Sequence, residues 1–272
     1  MTVLSVVIPC YNEAERLPAT LGAYLAHLSR APGEVEVLVV DDGSTDATLA
    51  VADAAAGGDP RVRVIRTQPN RGKGFAVRTG MLAAEGDRVV FTDADGSYGP
   101  EQVDRVVSAL AGDPVAIGTR DPDAATAGVT RRVASLVFNL AMRGLLGLPF
   151  RDTQCGLKGF RRDAARAVFS RARLDGFAFD AEALLLAGRL GLAVAEVPVR
   201  AQQRPGSKVR VLADGRRMLA QLWAIRRVAG INGGDAPSAS SAIQPGPAVD
   251  GARVGPSPRR PGQAHGQLWT RP

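Results

Sequence analysis

A chain of 272 residues, 45% hydrophobic and 22% charged, has enough apolar material for one sizeable α/β domain with appendages, and is neither fibrous nor wholly disordered. Its charge is basic, 34 Lys+Arg against 27 Asp+Glu, which favours phosphates, anionic membrane surfaces or nucleic acid without choosing among them. Two cysteines, Cys10 and Cys155, exclude a disulfide framework and a cysteine-based metal cluster, and fit a reduced cytoplasmic location.

The first half alternates between two periodicities. Short, β-branched apolar runs at Leu4–Ile8, Val35–Val40, Val62–Ile65 and Val89–Phe91 read as buried strands. Segments of helical composition follow them at Glu15–Leu28, Thr45–Ala56, Phe75–Ala84 and Pro100–Leu110. This alternation predicts a doubly wound, mostly parallel sheet with helices on both faces, whose ligands bind at the carboxyl ends of the strands. Further along, Val115–Ile117 and Val194–Val199 read as strands, and Arg131–Leu148, Asp163–Ala172 and Asp180–Leu190 as helices. Leu212–Ala229 reads as an amphipathic basic helix suited to an anionic interface, or equally to packing on the domain with its arginines in solvent. From Gly233 there are seven prolines in 40 residues, so residues 232–272 are expected to stay disordered. No stretch reaches the roughly 18 uncharged apolar residues of a spanning helix. The first residues lack the features of a signal peptide. The expectation is therefore a cytoplasmic protein, peripheral on the membrane if it works there at all.

Polar clusters stand where strands end. Pro9-Cys10-Tyr11-Asn12-Glu13 follows the first strand, and taken alone it reads most simply as Asn12 capping the next helix. Asp41-Asp42-Gly43 follows the second. An ordinary turn rarely needs both acids, whereas two carboxylates suit hydrogen bonding to a base or ribose. In Asn70-Arg71-Gly72-Lys73-Gly74, two glycines around a lysine ahead of a helix resemble a phosphate cradle, though not the P-loop pattern. The fourth strand ends in Asp93-Ala94-Asp95, where carboxylates at i and i+2 can converge on Mg²⁺ or Mn²⁺ while substrate phosphates complete the shell. A solvated acidic turn is the plain alternative.

These four clusters, in this order and spacing, resemble family 2 glycosyltransferases. The second half narrows the likeness: Asp152-Thr153-Gln154-Cys155-Gly156-Leu157-Lys158-Gly159-Phe160, Phe179-Asp180-Ala181-Glu182, Glu196-Val197-Pro198-Val199 and Gly206-Ser207-Lys208-Val209 are similar to the dolichyl-phosphate β-glucosyltransferases and other polyprenyl-phosphate glycosyltransferases. The resemblance covers about residues 3–212 and implies a GT-A-type fold, with a nucleotide-sugar half over 1–98, an acceptor half over 99–212, and then a basic helix over 213–231.

It also implies roles. Pro9, Tyr11, Glu13, Asp41 and Asp42 would hold the nucleoside, with Ala94 beside it and Lys73 approaching the donor. Asp93 and Asp95 would place the metal on the diphosphate, with Ser97 as a further contact. Arg120, Arg131, Arg132 and Lys208 would meet the acceptor phosphate, although Arg132 fits a solvated helix start as well. Asp152 and Gln154 would face the sugar. Asp180 joins them as a catalytic candidate, while one of Asp180 and Glu182 can equally be a helix-dipole contact.

The implied reaction is inverting, metal-dependent transfer of a hexose, glucose by expectation, from a UDP-sugar to a polyprenyl phosphate. A phosphate acceptor needs no strong general base; a hydroxyl acceptor does, and Asp152 is then the first candidate. The alternatives are a family 2 enzyme acting on a soluble or glycan hydroxyl, a nucleotidyltransferase, or a non-catalytic nucleotide-sugar-binding protein. A nucleic-acid partner is disfavoured by the 5% aromatic content and the lack of a binding module.

Overall fold

The computed structural model describes residues 2–29, 33–120 and 146–202. Seven strands form one sheet: β1 (Thr2–Cys10), β2 (Glu34–Asp42), β3 (Val62–Thr67), β4 (Arg88–Phe91), β5 (Val115–Arg120), β6 (Lys158–Arg161) and β7 (Val194–Val199). Their order is β3-β2-β1-β4-β6-β5-β7. Every pairing is parallel except those of β6, which runs antiparallel to both β4 and β5.

Side chains alternate across the pleat, so each strand feeds two cores. Val7, Leu38, Val40, Val89 and Phe91 face one layer, covered by α3 (Lys73–Ala83), α5 (Arg162–Phe169) and α6 (Phe179–Arg189). Val6, Ile8, Val37, Val39 and Val90 face the other, covered by α1 (Leu17–Leu28), α2 (Thr48–Gly58) and α4 (Pro100–Ala109). Burial on both faces is why these strands read as unbroken apolar runs.

The anticipated strands are all present, and the six anticipated helices that lie wholly among the described residues fall within a few residues of their expected ends. Two readings change. β6 was not anticipated, because Lys-Gly-Phe-Arg has no β-branched residue and is too short to show a period. Asn12 does not cap α1, which starts at Leu17 behind Arg16. Instead Asn12 turns with φ 55°, and its side-chain oxygen accepts from the Thr45 amide at 2.9 Å, tying the loop after β1 to the loop after β2.

Residues 131–145 of the expected helix over 131–148 lie outside the described residues. So do the basic helix over 212–229, the tail, and the boundary near 212. Among the described residues no helix is long and apolar enough to cross a membrane.

Candidate active site

The chain leaves β1 for β2 and β3 on one side, then returns past β1 to β4 on the other. That reversal opens a crevice at the carboxyl ends of β1 and β4. Because β6 is antiparallel, its first residue, Lys158, lies opposite Phe91 at the end of β4. The segment 152–158 is thereby delivered to the same edge as Asp93–Asp95.

On the nucleoside side, the neighbours Asp41 and Asp42 do different work. Asp41 is 2% exposed, and its Oδ2 accepts from the Ser44 amide at 3.3 Å while its Oδ1 has no hydrogen-bond partner among the described residues. A buried carboxylate oxygen left bare costs desolvation and marks a position for an incoming donor. Asp42 accepts from the amides of Arg71 (3.1 Å) and Gly72 (2.6 Å) and from Thr67 Oγ1 (3.1 Å), so its carboxylate builds a loop rather than facing a ligand. Pro9 pairs with Val40 near the end of β1, and the Tyr11 ring beyond it is 44% exposed. The Glu13 amide donates to Thr48 Oγ1 at 2.7 Å, and its carboxylate pairs with Arg16 at 2.6 Å.

The phosphate-cradle reading of Asn70–Gly74 does not survive. The amides of Gly74 and Phe75 donate to the Asp175 carbonyl at 2.8 and 3.2 Å, and those of Arg71 and Gly72 are held by Asp42. The glycines answer crowding: a Cβ on Gly72 would press on the Asp175 carbonyl, and one on Gly74 on the Leu174 carbonyl and Phe179. Asp175 also takes Arg71 and Arg78 on its carboxylate, at 2.8 and 2.7 Å.

Lys73 itself does face the crevice, where its Nζ lies 2.5 Å from Asp93 Oδ1. Burial opposes its charge, but Asp93, Asp180 and Asp95 together hold its pKa above the usual range. Asp95 Oδ1 accepts from the Ser97 amide at 2.8 Å, which folds the turn after β4. Between the two acids, the Ala94 methyl is buried and its carbonyl accepts from Thr20 Oγ1 at 2.8 Å. Gly156 forms the floor under Asp93, since a Cβ there would collide with the Asp93 carboxylate.

On the other side, Arg120 and Asp152 form a bidentate pair at 2.6 and 2.9 Å, with Asp152 9% and Arg120 42% exposed. Asp152 also accepts from the Gln154 amide at 3.2 Å. Burial works to raise the Asp152 carboxyl, but Arg120, with help from Lys158, holds it below the usual range. Beneath lies Lys158, fully buried, whose Nζ donates to Asp180 Oδ1 and to the Cys155 carbonyl, both at 2.6 Å. Burial raises the Asp180 carboxyl despite Lys158 and Lys73. Glu182 is a loop anchor, accepting from the amides of Arg173 and Leu174 at 2.8 and 2.9 Å. The Cys155 thiol donates to Tyr98 Oη at 3.3 Å, and burial pushes its pKa up to about 11, so it is no nucleophile.

The structure thus brings Asp41, Lys73, Asp93, Asp95, Arg120, Asp152, Gln154 and Asp180 to one edge, with Pro9, Tyr11, Glu13 and Ala94 on its rim. Asp42 faces the loop instead. Arg131, Arg132 and Lys208 lie outside the described residues. Sequence reasoning gave no role to Lys158, Gly156 or Asp175. For Lys158 there was a faint signal, a lysine between apolar residues in a chain that also carries Asp180 beside an apolar helix face.

Two carboxylates fit a hard divalent cation that keeps open positions for substrate oxygens. Among the described residues no third acid, cysteine or histidine completes a cage, so a shared metal would depend on donor phosphates.

Comparison with known proteins agrees with this geometry. Residues 5–169 match the model of glycosyl transferase family 2. The dolichyl-phosphate β-glucosyltransferase of Drosophila melanogaster is 40% identical over 224 residues, covering 76% of this chain and 69% of that protein. The undecaprenyl-phosphate mannosyltransferase of Micrococcus luteus is 36% identical over 211 residues, covering 75% and 85%. Glucosyl-3-phosphoglycerate synthase of Mycobacterium tuberculosis, crystallised with Mn²⁺, UDP-glucose and phosphoglyceric acid, superposes with a TM-score of 0.61 at 26% identity, covering 85% of this chain and 81% of that one. The fold is the GT-A fold, and the chain belongs to glycosyl transferase family 2 as a glycosyltransferase.

Proposed function

We propose that this enzyme transfers glucose from UDP-glucose to a polyprenyl phosphate with inversion, using Mg²⁺ or Mn²⁺, on the cytoplasmic membrane face. The observation that carries the acceptor class is the state of the acids on the acceptor side. Asp152 is locked to Arg120, Asp180 to Lys158 and Glu182 to two amides. A carboxylate held below its usual range by a bidentate arginine is a poor base near neutral pH, so a hydroxyl acceptor is badly served. A phosphate oxygen is already anionic and needs only to be positioned. The relatives named for dolichyl and undecaprenyl phosphate support this reading, as does the UDP-glucose and Mn²⁺ held by the mycobacterial neighbour.

In this mechanism Asp41 receives a donor from the nucleoside on its bare oxygen, with the exposed Tyr11 ring beside it. Asp93 and Asp95 would hold the metal, which when bound neutralises the departing diphosphate. Asp152 orients the half-exposed Arg120 guanidinium, whose remaining donor face meets the acceptor phosphate. Gly156 keeps the Asp93 carboxylate close to that segment, so leaving group and nucleophile are held on one rigid edge.

The test is radiolabel transfer from UDP-glucose, beside GDP-mannose, to a polyprenyl phosphate in detergent with Mn²⁺ or Mg²⁺, and an Asp95→Ala control. A phosphoglyceric acid arm runs in parallel. Label in the lipid phase that vanishes in the control is the expected result. Label that stays in water with phosphoglycerate overturns the lipid acceptor, and transfer indifferent to chelator overturns the metal.

A further inference from the structure

We propose that Lys73 is an internal stand-in for the divalent cation, occupying Asp93 until the donor's diphosphate draws it away, so that metal and donor can only bind well together. The inference rests on the reading that Asp93 and Asp95 are the metal's carboxylates. It goes beyond that reading by giving the same carboxylate two alternating cationic partners.

The geometry is direct. Lys73 Nζ sits 2.5 Å from Asp93 Oδ1, one of the two carboxylate oxygens open to a metal. Gly156 lies against the other oxygen, so the carboxylate cannot turn toward that side to take both cations. Asp180, which also acts on Lys73, already receives Lys158 at 2.6 Å, and Lys158 is fully buried with a second bond to the Cys155 carbonyl. Lys158 therefore cannot leave, and Asp180 cannot draw Lys73 off as a free carboxylate would. Lys73 is 22% exposed, on the first turn of α3, with the long flexible stem that lets an ammonium swing.

Counting charges shows the consequence. Without donor, one ammonium faces the two carboxylates Asp93 and Asp95. A divalent ion added there meets a like charge and an acid already engaged. A donor diphosphate adds negative charge at the same place and offers the ammonium new oxygens. Lys73 then moves to the phosphate and Asp93 is released, so that both carboxylates would be free to hold the metal. After transfer, departure of the nucleoside diphosphate returns Lys73 to Asp93 and helps expel the metal. Coupling of this kind is reciprocal and typically spans roughly five- to 150-fold in affinity.

The experiment titrates Mn²⁺ into the full-length protein, reading free Mn²⁺ by electron paramagnetic resonance, with and without UDP. Lys73→Met and Lys73→Gln remove the ammonium, Lys73→Arg keeps a charge, and circular dichroism identifies the variants that stay folded. Expected is weak Mn²⁺ binding to the wild type alone and marked tightening by UDP. Both neutral variants should bind Mn²⁺ alone about tenfold more tightly, with the UDP effect shrunk to match, and Lys73→Arg should follow the wild type. Neutral variants that bind Mn²⁺ alone no better than the wild type overturn the stand-in role while leaving the metal site in place. No Mn²⁺ binding to any form even with UDP removes the metal reading itself, and the stand-in with it.

Discussion

On the donor side of the edge, Asp41 keeps a buried oxygen without a partner among the described residues, and Asp93 pairs with a lysine that can swing away. On the acceptor side, Asp152 and Asp180 are each held by a cation from another element, and Glu182 by two amides of the loop ahead of its own helix. The first arrangement stores unmet demand for a ligand and is costly while empty. The second is a finished frame that fixes geometry before any substrate arrives, as positioned reactants require. The difference suits an enzyme whose donor brings its own charge and metal while its acceptor, a phosphate, brings its own nucleophile.

The frame is where breakage costs most. Lys158→Met should strand Asp180 as an uncompensated buried carboxylate and destabilise the fold by about 3–5 kcal/mol. The double variant Lys158→Met with Asp180→Leu should regain much of that loss, since a buried pair is worth little more than an apolar filling of like volume. Urea unfolding of the wild type, both singles and the double settles it, and strictly additive losses would mean the two residues are not a pair. By contrast, Gly156→Ala should spare stability and damage catalysis. The atoms nearest the added Cβ all belong to the Asp93 carboxylate, a side-chain end that can turn away from Gly156, so the backbone need not move. A displaced metal carboxylate is expected to lower kcat about 100-fold while the melting temperature changes little.

The two neighbouring acids of β2 sharpen the comparison within a single turn. Asp42→Asn sets an NH₂ or a weaker acceptor against the amides of Arg71 and Gly72, and should cost about 1–3 kcal/mol of stability. Asp41→Asn should leave stability nearly unchanged and weaken UDP binding roughly tenfold or more, because the bare oxygen is the one a ligand uses. Unfolding curves and UDP calorimetry on both variants would expose an exchange of these roles.

The sequence made the donor side legible because parallel strands deliver chemistry where they end, and each cluster there lies within a few residues of its strand. Asp93–Asp95 and Asp41 could be placed from local pattern alone. The division of labour between Asp41 and Asp42 could not, because it depends on how the loop at 70–72 comes back over β2. The glycines at 72 and 74 announced a need for small residues, yet the crowding neighbour proved to be the chain at 174–179, a hundred residues away, and not a phosphate. The acceptor side was legible only by resemblance. Its organising element, β6, is four residues long and antiparallel, and the Lys158–Asp180 pair spans 22 residues between a strand and a helix. No periodicity announces such a pair.

The smallest expected effect concerns the rim of the frame. The Asp152 carboxyl lies below its ordinary value of 3.8 in the folded protein because Arg120 holds it ionised against the pull of burial. A group whose folded pKa is depressed contributes stability that is present above its unfolded pKa and is lost as the pH falls through the folded value. Arg120→Met should therefore cost about 1.5 kcal/mol at pH 7, the low end for hydrogen bonds to charged groups, because the guanidinium is 42% exposed and screened by solvent. That difference should fade as the pH drops below about 4, where the unfolded chain takes up its proton first. Paired thermal melts from pH 7 to pH 3 read it directly. A gap that stays constant across that range would mean Arg120 stabilises through packing of its stem alone. Asp152 would then be no longer held ionised by it, and the case against Asp152 as a base would lose its electrostatic half.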